Sequence, residues 1–219
     1  MSPAVLVMAK APVPGAAKTR LGAVVGHRVA AELAAASILD TLDVCEEVFP
    51  SGACHVALAG ELGQAAHGDV LAQRLGRWTV HPQRGKGFAA RLAHAHEQVA
   101  RRAEGPVVQL GMDTPHLPAA HLSEVSTRIG DGNDAVLGAA ADGGWWVLAL
   151  TQPAFAQSLR SVEMSTARTY DDTLAALRAA GATVADATVL RDVDTPQDAD
   201  ASAQAAPGTR FARRWAQVR

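Results

Sequence analysis

The fold class is decided by the stretch Ala4-Val-Leu-Val-Met8 and by the loop that follows it, Ala9-Lys-Ala-Pro-Val-Pro-Gly15. A short apolar run that ends at prolines and a glycine is typical of a buried strand entering a loop. The Ala-rich stretch from His27 to Val48 carries apolar residues at spacings of three and four, which predicts a helix with a buried face. Strands and helices then alternate, so we expect a three-layer α/β fold of the Rossmann-like type, with a mixed, mostly parallel sheet.

The remaining elements follow from the same patterns. Predicted strands cover Ala4–Met8, Cys54–Ala59, Trp78–His81, Pro106–Leu110, Asp134–Gly138, Trp145–Leu150 and Thr183–Leu190. Predicted helices cover His27–Val48, Phe88–Ala103, Pro118–Ile129, a segment capped by Ser165 or Thr166 that runs to Ala180, and a short helix after Pro196. Gly63–Leu75 is interpreted as loop and a short helix. We expect a single domain over residues 1–204 and a basic helix or frayed tail over residues 205–219.

The bulk composition excludes several classes of protein. Hydrophobic residues make up 48% of the 219 residues and charged residues 19%, which favours a globular fold over disorder. A net charge of −2 provides no basic field for a nucleic-acid backbone. The N-terminal apolar run is too short for a signal segment or a membrane span, and Cys45 and Cys54 are expected to be buried, reduced thiols. These features predict a cytoplasmic protein and leave its oligomeric state open.

The loop after the first strand is a candidate phosphate site. Lys10, Lys18 and Arg20 bring three positive charges to a segment that two prolines and Gly15 stiffen, which exposes backbone N–H groups. Only three of the 20 basic residues are lysines, and Lys86 is the third. The arrangement is not a P-loop, because the glycine directly before the lysine is missing. The alternative is a solvated connection with ordinary surface cations.

Three aspartates are candidate metal ligands. Asp113 directly follows a predicted strand, and Asp192 and Asp194 project to the same side of an extended segment. Hard carboxylate oxygens suit Mg²⁺ or Mn²⁺, which completes its shell with water and substrate phosphate. The alternatives are an Asx-turn at Asp113, and an exposed turn with a helix N-cap at Asp194 or Thr195.

Two further segments are candidates for substrate binding. Asp142 precedes Gly143 and Gly144, which allow positive φ or the close approach of a ligand, and Trp145 begins a strand from which it can stack on a base or sugar. Packing of the tryptophans is the alternative.

The other segment contains Gln83, which can read a nucleobase edge, and Lys86, which lies between two glycines at a predicted helix start that suits an anion or a base edge. An ordinary flexible turn is the alternative. His94 and His96 do not share a helix face, and we interpret them as surface residues.

Several motifs, in order along the chain, resemble a family. They are Met8-Ala-Lys-Ala-Pro-Val-Pro-Gly-Ala-Ala-Lys-Thr-Arg-Leu21, Gly111-Met-Asp-Thr-Pro-His-Leu117, Asp142-Gly-Gly-Trp-Trp146, Met164-Ser-Thr166 and Asp192-Val-Asp-Thr-Pro196. They resemble a group of GT-A-fold glycosyltransferases, often called selenodomain-associated transferases, in the nucleotide-diphospho-sugar transferase superfamily. The resemblance covers Val7 to about Asp198 and implies the GT-A fold.

A wider resemblance extends to small nucleotidyltransferases, including molybdenum-cofactor and phospholactate guanylyltransferases. It implies that Lys18 and Arg20 hold phosphate, and that Asp113, Asp192 and Asp194 hold Mg²⁺. The proline-containing stretch from Lys10 to Pro14 departs from the Gly-rich loop of many of those enzymes.

These observations predict a transferase that depends on Mg²⁺ or Mn²⁺ and acts on a nucleotide and a small-molecule acceptor. In the leading version, a phosphorylated or hydroxyl acceptor attacks a nucleoside triphosphate, and Lys18, Arg20 and the metal neutralise the departing charge while Asp113 holds the metal. The second version transfers a sugar from a nucleotide sugar, with Asp142 as a base. The third is a nucleotide-binding module without catalysis.

Overall fold

A seven-stranded sheet forms the centre of the molecule in the computed structural model, which describes residues 2–218. The sheet order is β3-β2-β1-β4-β6-β5-β7, and every neighbouring pair is parallel except the two that involve β6. The strands are β1 (Ala4–Lys10), β2 (Cys54–Ala59), β3 (Thr79–Pro82), β4 (Val107–Gly111), β5 (Ala135–Ala140), β6 (Trp145–Leu150) and β7 (Val184–Leu190). The predicted mixed, mostly parallel sheet is confirmed.

Helices cover both faces of this sheet, which gives the three predicted layers. They are α1 (Thr19–Val25), α2 (His27–Val48), α3 (Gly68–Leu75), α4 (Phe88–Ala100), α5 (Ala119–Arg128), α6 (Thr169–Ala179), α7 (Pro196–Ala205) and α8 (Arg210–Trp215). Short 3₁₀ segments cover Leu62–Gln64 and Pro153–Ser161. Helices α2, α3 and α5 pack on one face, and α4, α6 and the second 3₁₀ segment on the other. Strand β1 is therefore buried on both faces, which is why it is apolar without alternation.

The alanine content of α2 follows from its two-sided burial. Ala34 and Ile38 face the sheet, whereas Leu33 and Ala36 pack against a separate apolar cluster that contains Phe211. Small side chains allow the backbone of α2 to approach both layers closely. The helix is thus buried over more of its surface than the single predicted face.

The C-terminal helix α8 packs on α2 and buries Phe211 and Trp215. The carboxylate of Asp40, which is nearly inaccessible, accepts hydrogen bonds from the backbone N–H groups of Arg210 (3.0 Å) and Phe211 (2.9 Å). A carboxylate in this place satisfies free donors of the first helical turn and complements the helix dipole. Of the two tail conformations that the sequence left open, the structure shows the helix.

The structure differs from the sequence analysis at three places. The loop predicted after β1 extended to Leu21, whereas helix α1 begins at Thr19, and its buried contact through Leu21 arises only in the folded chain. Neither Ser165 nor Thr166 caps α6, which begins at Thr169, because Ser165 has positive φ and the chain turns before the helix. The 3₁₀ segment Pro153–Ser161 was not predicted at all.

The topology places a crevice between β1 and β4. The chain runs from β1 outward to β2 and β3, and then returns to the other side of β1 to form β4. Ligands of open α/β sheets bind beyond the carboxyl ends of the strands at such a reversal. The loops after β1 and β4 carry Lys18 and Asp113, so both segments meet at this point. No helix within residues 2–218 is long and apolar enough to cross a membrane.

Candidate functional site

Two adjoining clefts open at the carboxyl ends of the strands. The first has a volume of about 400 Å³ and contains four basic residues and two carboxylates among its described lining residues: Lys10, Lys18, Arg20, Arg91, Asp113 and Asp194. The second has a volume of about 490 Å³ and contains Asp113, Asp142, Asp192 and Asp194. Asp113, Asp194, Arg20 and Phe88 line both, so the clefts share one rim.

Lys18 connects the loop after β1 to the aspartates. Its Nζ lies 2.6 Å from Asp113 Oδ1 and 3.2 Å from Asp194 Oδ1, and it donates to the carbonyl oxygen of Val193 at 2.5 Å. The side chain is only 9% exposed. Burial acts to lower the pKa of Lys18, but the two carboxylates outweigh it and raise the pKa above its usual value. Lys18 is therefore a fixed positive charge on the rim.

The backbone of Lys18 is in the left-handed region, with φ of 49°. Positive φ is uncommon for a residue with a side chain, and such conformations concentrate at functional sites. Lys18 has this conformation directly before the first turn of α1. Ser165, which lines the second cleft, has φ of 65°. Two of the three described non-glycine residues with positive φ thus lie at the clefts.

Asp113 is held in place by contacts on both sides. Its carbonyl oxygen accepts a hydrogen bond from Val193 N at 3.0 Å, which ties the loop after β4 to the segment after β7. Next to it, the carbonyl oxygen of Met112 accepts from Ser37 Oγ at 2.6 Å. These bonds bring Asp113 and Asp194 to the same cation although 80 residues separate them in the sequence.

The three predicted metal ligands do not by themselves form a three-ligand cluster. Among residues 2–218, no group of three or more His, Cys, Asp or Glu side chains is close enough to hold a metal ion. The ammonium of Lys18 lies against Asp113 and Asp194 instead, and Thr114 Oγ1 donates to Asp192 Oδ1 at 3.1 Å. Two carboxylates that converge on one ammonium nevertheless show that they can share a single cation.

Asp192 is a half-buried carboxyl group beside other carboxylates. Burial, together with the nearby charges of Asp113 and Asp142, raises the pKa of Asp192 to about 7, and Lys18 and the hydrogen bond from Thr114 act in the opposite direction. Desolvation is the largest cause of this rise, and the nearby charges of Asp113 and Asp142 add to it. Val193 is buried between Asp192 and Asp194, so both aspartates face the second cleft as the extended segment predicts.

The turn after β5 forms one wall of the second cleft. Asp142 Oδ1 accepts from Gly144 N at 2.8 Å, and Trp145 lines the cleft while its Nε1 donates to Thr173 Oγ1 at 3.2 Å. Gly143 has φ of 91°, and a Cβ there would lie 2.2 Å from the carbonyl oxygen of Ala167. Gly143 does not line the cleft, so the close approach at Gly143 is to the chain itself rather than to a ligand.

The other candidate substrate residues lie at different distances from the clefts. Lys10 lines the first cleft, and its Nζ donates to the carbonyl oxygen of Ala16 at 2.7 Å. Gln83 also lines it, but its amide nitrogen donates to the carbonyl oxygens of Ala9 (3.0 Å) and Ala57 (2.9 Å) and holds the strand ends. Gly15 and Lys86 are exposed and line neither cleft.

Arg91, Phe88 and Gln109 are among the cleft residues that the sequence analysis missed. Arg91 and Phe88 belong to the first turn of α4, and Phe88 remains 46% exposed on the shared rim. Gln109 lies on the floor of the second cleft and bonds to His96 at 3.0 Å. His96 is fully buried, so its interpretation as a surface residue was wrong, because α4 turns this position towards the polar Gln109 of β4. A glutamine inside the apolar run of β4 was the one signal available.

A family model and several solved structures match the chain. The model described as "Uncharacterized protein conserved in bacteria (DUF2064)" matches residues 41–166. No curated protein matches the sequence. A solved structure from Desulfovibrio desulfuricans G20, named a "putative nucleotide-diphospho-sugar transferase", is 26% identical, with a TM-score of 0.84 over 99% of this chain and 94% of that chain.

Two more distant structures share the fold. Rv0371c from Mycobacterium tuberculosis H37Rv, solved in complex with manganese, is 20% identical over 93% of this chain and 100% of that chain, with a TM-score of 0.52. CMP:2-keto-3-deoxy-manno-octonic acid synthetase, solved with CTP, is 12% identical over 94% of this chain and 99% of that chain, with a TM-score of 0.58. The GT-A-like fold of the nucleotide-diphospho-sugar transferases is therefore established for this chain.

Proposed function

We propose that this chain, which belongs to the bacterial DUF2064 family, is a metal-dependent transferase that binds a nucleotide in the first cleft and an acceptor in the second. The observation that carries the proposal is the shared rim, where Lys18 contacts Asp113 and Asp194 between the two clefts. A cationic cleft beside an acidic one, at the reversal point of the sheet, provides separate places for a polyphosphate and for the group that attacks it.

The first cleft has the groups that a polyphosphate requires. Lys18, Arg20 and Lys10 supply positive charge, and Arg91 from α4 adds a fourth basic group. Charge-assisted hydrogen bonds from such groups are the stronger class of hydrogen bond. Lys18 and Arg20 already contact Asp194, so negatively charged oxygen atoms are accommodated at this position.

The residues also fit Mg²⁺ or Mn²⁺. Asp113 and Asp194 converge on one positively charged group, with Asp192 as a third carboxylate nearby. Mg²⁺ is commonly held by one or two carboxylates together with substrate phosphates, so a complete cluster of protein ligands is not required. When bound, the metal would supply positive charge to the phosphates of the nucleotide.

In the leading version, the enzyme transfers a nucleotidyl group. A hydroxyl or phosphate oxygen of the acceptor forms a bond to the α-phosphorus, the bond to the bridging oxygen breaks, and pyrophosphate leaves with that electron pair. Lys18 and Arg20 neutralise the departing charge, and Asp142 in the second cleft accepts the proton when the acceptor is a hydroxyl. The four basic groups of the first cleft favour this version, because a triphosphate carries more charge than a diphosphate.

The second version transfers a sugar from a nucleotide sugar. The 26% identical structure from Desulfovibrio desulfuricans G20, which is named for that class, favours it. Here the oxygen of an acceptor hydroxyl bonds to the anomeric carbon while the bond from that carbon to the phosphate oxygen breaks. A nucleoside diphosphate leaves with that electron pair into the first cleft, and Asp142 accepts the proton of the hydroxyl.

The leaving group distinguishes the versions. Purified protein is incubated with Mg²⁺, a pool of small acceptors, and either nucleoside triphosphates or nucleotide sugars. Release of pyrophosphate supports nucleotidyl transfer, and release of nucleoside diphosphate supports glycosyl transfer. Nucleotide binding without either product would indicate a non-catalytic module, and the absence of any nucleotide binding would contradict the proposal.

A further inference from the structure

The floor of the second cleft is formed by a buried polar pair that the proposed chemistry does not use. Gln109 of β4 is 1% exposed and yet lines the cleft, and its Oε1 lies 3.0 Å from His96 Nε2. Within residues 2–218, the amide nitrogen of Gln109 makes no hydrogen bond. This donor opens onto the cleft and is therefore available to a ligand atom that accepts a hydrogen bond.

The tautomer of His96 fixes the direction in which this amide points. Burial lowers the pKa of His96 to about 4, so the ring is neutral at pH 7 and carries one N–H. Its Nδ1 is buried and has no partner among the described residues. An unpaired acceptor is tolerated better than an unpaired buried N–H, so the proton belongs on Nε2 and is donated to Gln109 Oε1. The NH₂ group of Gln109 therefore faces the cleft and offers hydrogen bonds to an oxygen atom.

The charges around this donor select against an anionic ligand. Asp113, Asp142, Asp192 and Asp194 line the second cleft, and Arg20 is the only basic residue among its described lining residues. The Arg20 side chain is 81% exposed and lies 3.5 Å from Asp194. Lys18 lies against Asp113 and Asp194 from the first cleft and offsets part of their charge, so the negative charge that belongs to the second cleft alone is that of Asp142 and Asp192. A phosphate or carboxylate on the acceptor would be repelled there, whereas hydroxyl groups can donate to the carboxylates.

The remaining walls suit a ring or chain with an apolar side. Trp145 is half-buried in the cleft and is fixed by its bond to Thr173, and the exposed ring of Phe88 lies at the junction with the first cleft. Aromatic faces beside carboxylates, an amide and hydroxyls such as those of Thr114 and Thr166 match a molecule with apolar C–H faces and a rim of hydroxyl groups.

We propose that the second cleft takes an acceptor that presents hydroxyl groups and carries no phosphate or carboxylate, such as a sugar or polyol, and that Gln109 binds one of its oxygen atoms. This inference rests on the proposed function, which assigns the second cleft to the acceptor. It narrows that function by excluding phosphorylated acceptors. His96 is a positioning residue, because it acts through Gln109.

Saturation-transfer NMR tests this without a nucleotide. The probes are matched pairs: glucose with glucose 6-phosphate, mannose with mannose 6-phosphate, and glycerol with glycerol 3-phosphate, with gluconate as a carboxylate. The expected result is that the unphosphorylated member of at least one pair binds about tenfold more tightly than its phosphorylated counterpart, because like charges repel in the cleft. In Gln109→Leu, its affinity should fall roughly three- to tenfold, the effect of one lost hydrogen bond. Gln73→Leu, an exposed glutamine on α3, is the matched control and should bind as the wild type does.

Each alternative outcome overturns the inference. These are tighter binding of the phosphorylated or carboxylated probes, the absence of binding by every unphosphorylated probe, and unchanged affinity in a folded Gln109→Leu variant. Because the matched pairs are compared on wild-type protein, the test holds even where the variant fails to fold. Sugar binding without any nucleotide binding would contradict the proposed function and leave this inference intact, and nucleotide binding without sugar binding would do the reverse.

Discussion

The two clefts share a rim but differ in charge. The first has four basic residues against two carboxylates, and the second has one arginine against four carboxylates. Asp113 and Asp194 belong to both, so the contrast comes from the residues that each cleft adds: lysines and Arg91 on one side, Asp142 and Asp192 on the other. In the proposed function, this difference in charge directs a polyphosphate to the first cleft and an uncharged acceptor to the second.

The shared carboxylate offers the strongest way to break this contrast. Asp113→Ala removes a charge that faces both clefts, and we expect turnover to fall by about 10²–10³-fold, as on removal of one group that stabilises transition-state charge. Steady-state kinetics with the active nucleotide measure the loss, and circular dichroism checks the fold. Asp131→Ala, an exposed aspartate in a loop, is the matched control and should retain full activity. A fully active Asp113→Ala would show that the rim is not catalytic.

The two lysines of the first cleft sharpen the contrast within that cleft. Lys18 is buried against two carboxylates, whereas Lys10 is exposed and bonded to a backbone carbonyl. We expect Lys18→Ala to weaken nucleotide binding by about 10- to 100-fold, the contribution of a charge-assisted hydrogen bond, and Lys10→Ala by less. Calorimetry measures both affinities. Equal losses in the two variants would contradict the special position of Lys18.

The floor of the second cleft gives a prediction about acid. Since burial holds the pKa of His96 at about 4, below its usual 6.5, the unfolded chain takes up a proton that the folded chain does not. Stability from this group is complete above pH 6.5 and is lost as the pH falls towards 4. Because of this proton uptake at His96, the free energy of unfolding should fall by about 2 kcal/mol when the pH is lowered from 7 to 5.

Urea denaturation at both pH values measures this change. His96→Leu should lose that part of the pH dependence, and His27→Leu, at an exposed position on α2, should keep it. The same pH dependence in wild type and His96→Leu would show that the buried ring is not the cause.

The smallest effect is expected at Lys86. The sequence places it between two glycines before a helix, as at an anion site, but its side chain is exposed and lines neither cleft. Lys86→Ala should therefore change nucleotide affinity by less than about twofold, as for most isolated surface charges. A loss as large as that in Lys18→Ala would place the phosphates outside the first cleft.

These residues also show how far sequence reasoning reaches. The sequence could identify Lys18, Asp113 and Asp194 because each lies in a loop that follows a predicted strand. Parallel strands end at the same edge of a sheet, so their loops come together there. Gln109 stands out in the sequence only as a polar residue in an apolar strand, and its contact with His96 exists only after α4 packs on β4. Gly143 has the positive φ that was one of its two expected alternatives, but the backbone that approaches it belongs to Ala167, which is distant in sequence. Local sequence patterns thus predict the residues on the rim of the clefts better than the buried residues at their floor.

The central claim is that phosphates bind in the first cleft and not in the second. A crystal grown with a non-hydrolysable nucleoside triphosphate and Mn²⁺ tests it directly, because anomalous scattering locates the metal. We expect the phosphates to contact Lys18 and Arg20, and the manganese ion to be bound by the carboxylate of Asp113. Phosphates beside Asp142 and Trp145, or a metal remote from Asp113, would contradict it.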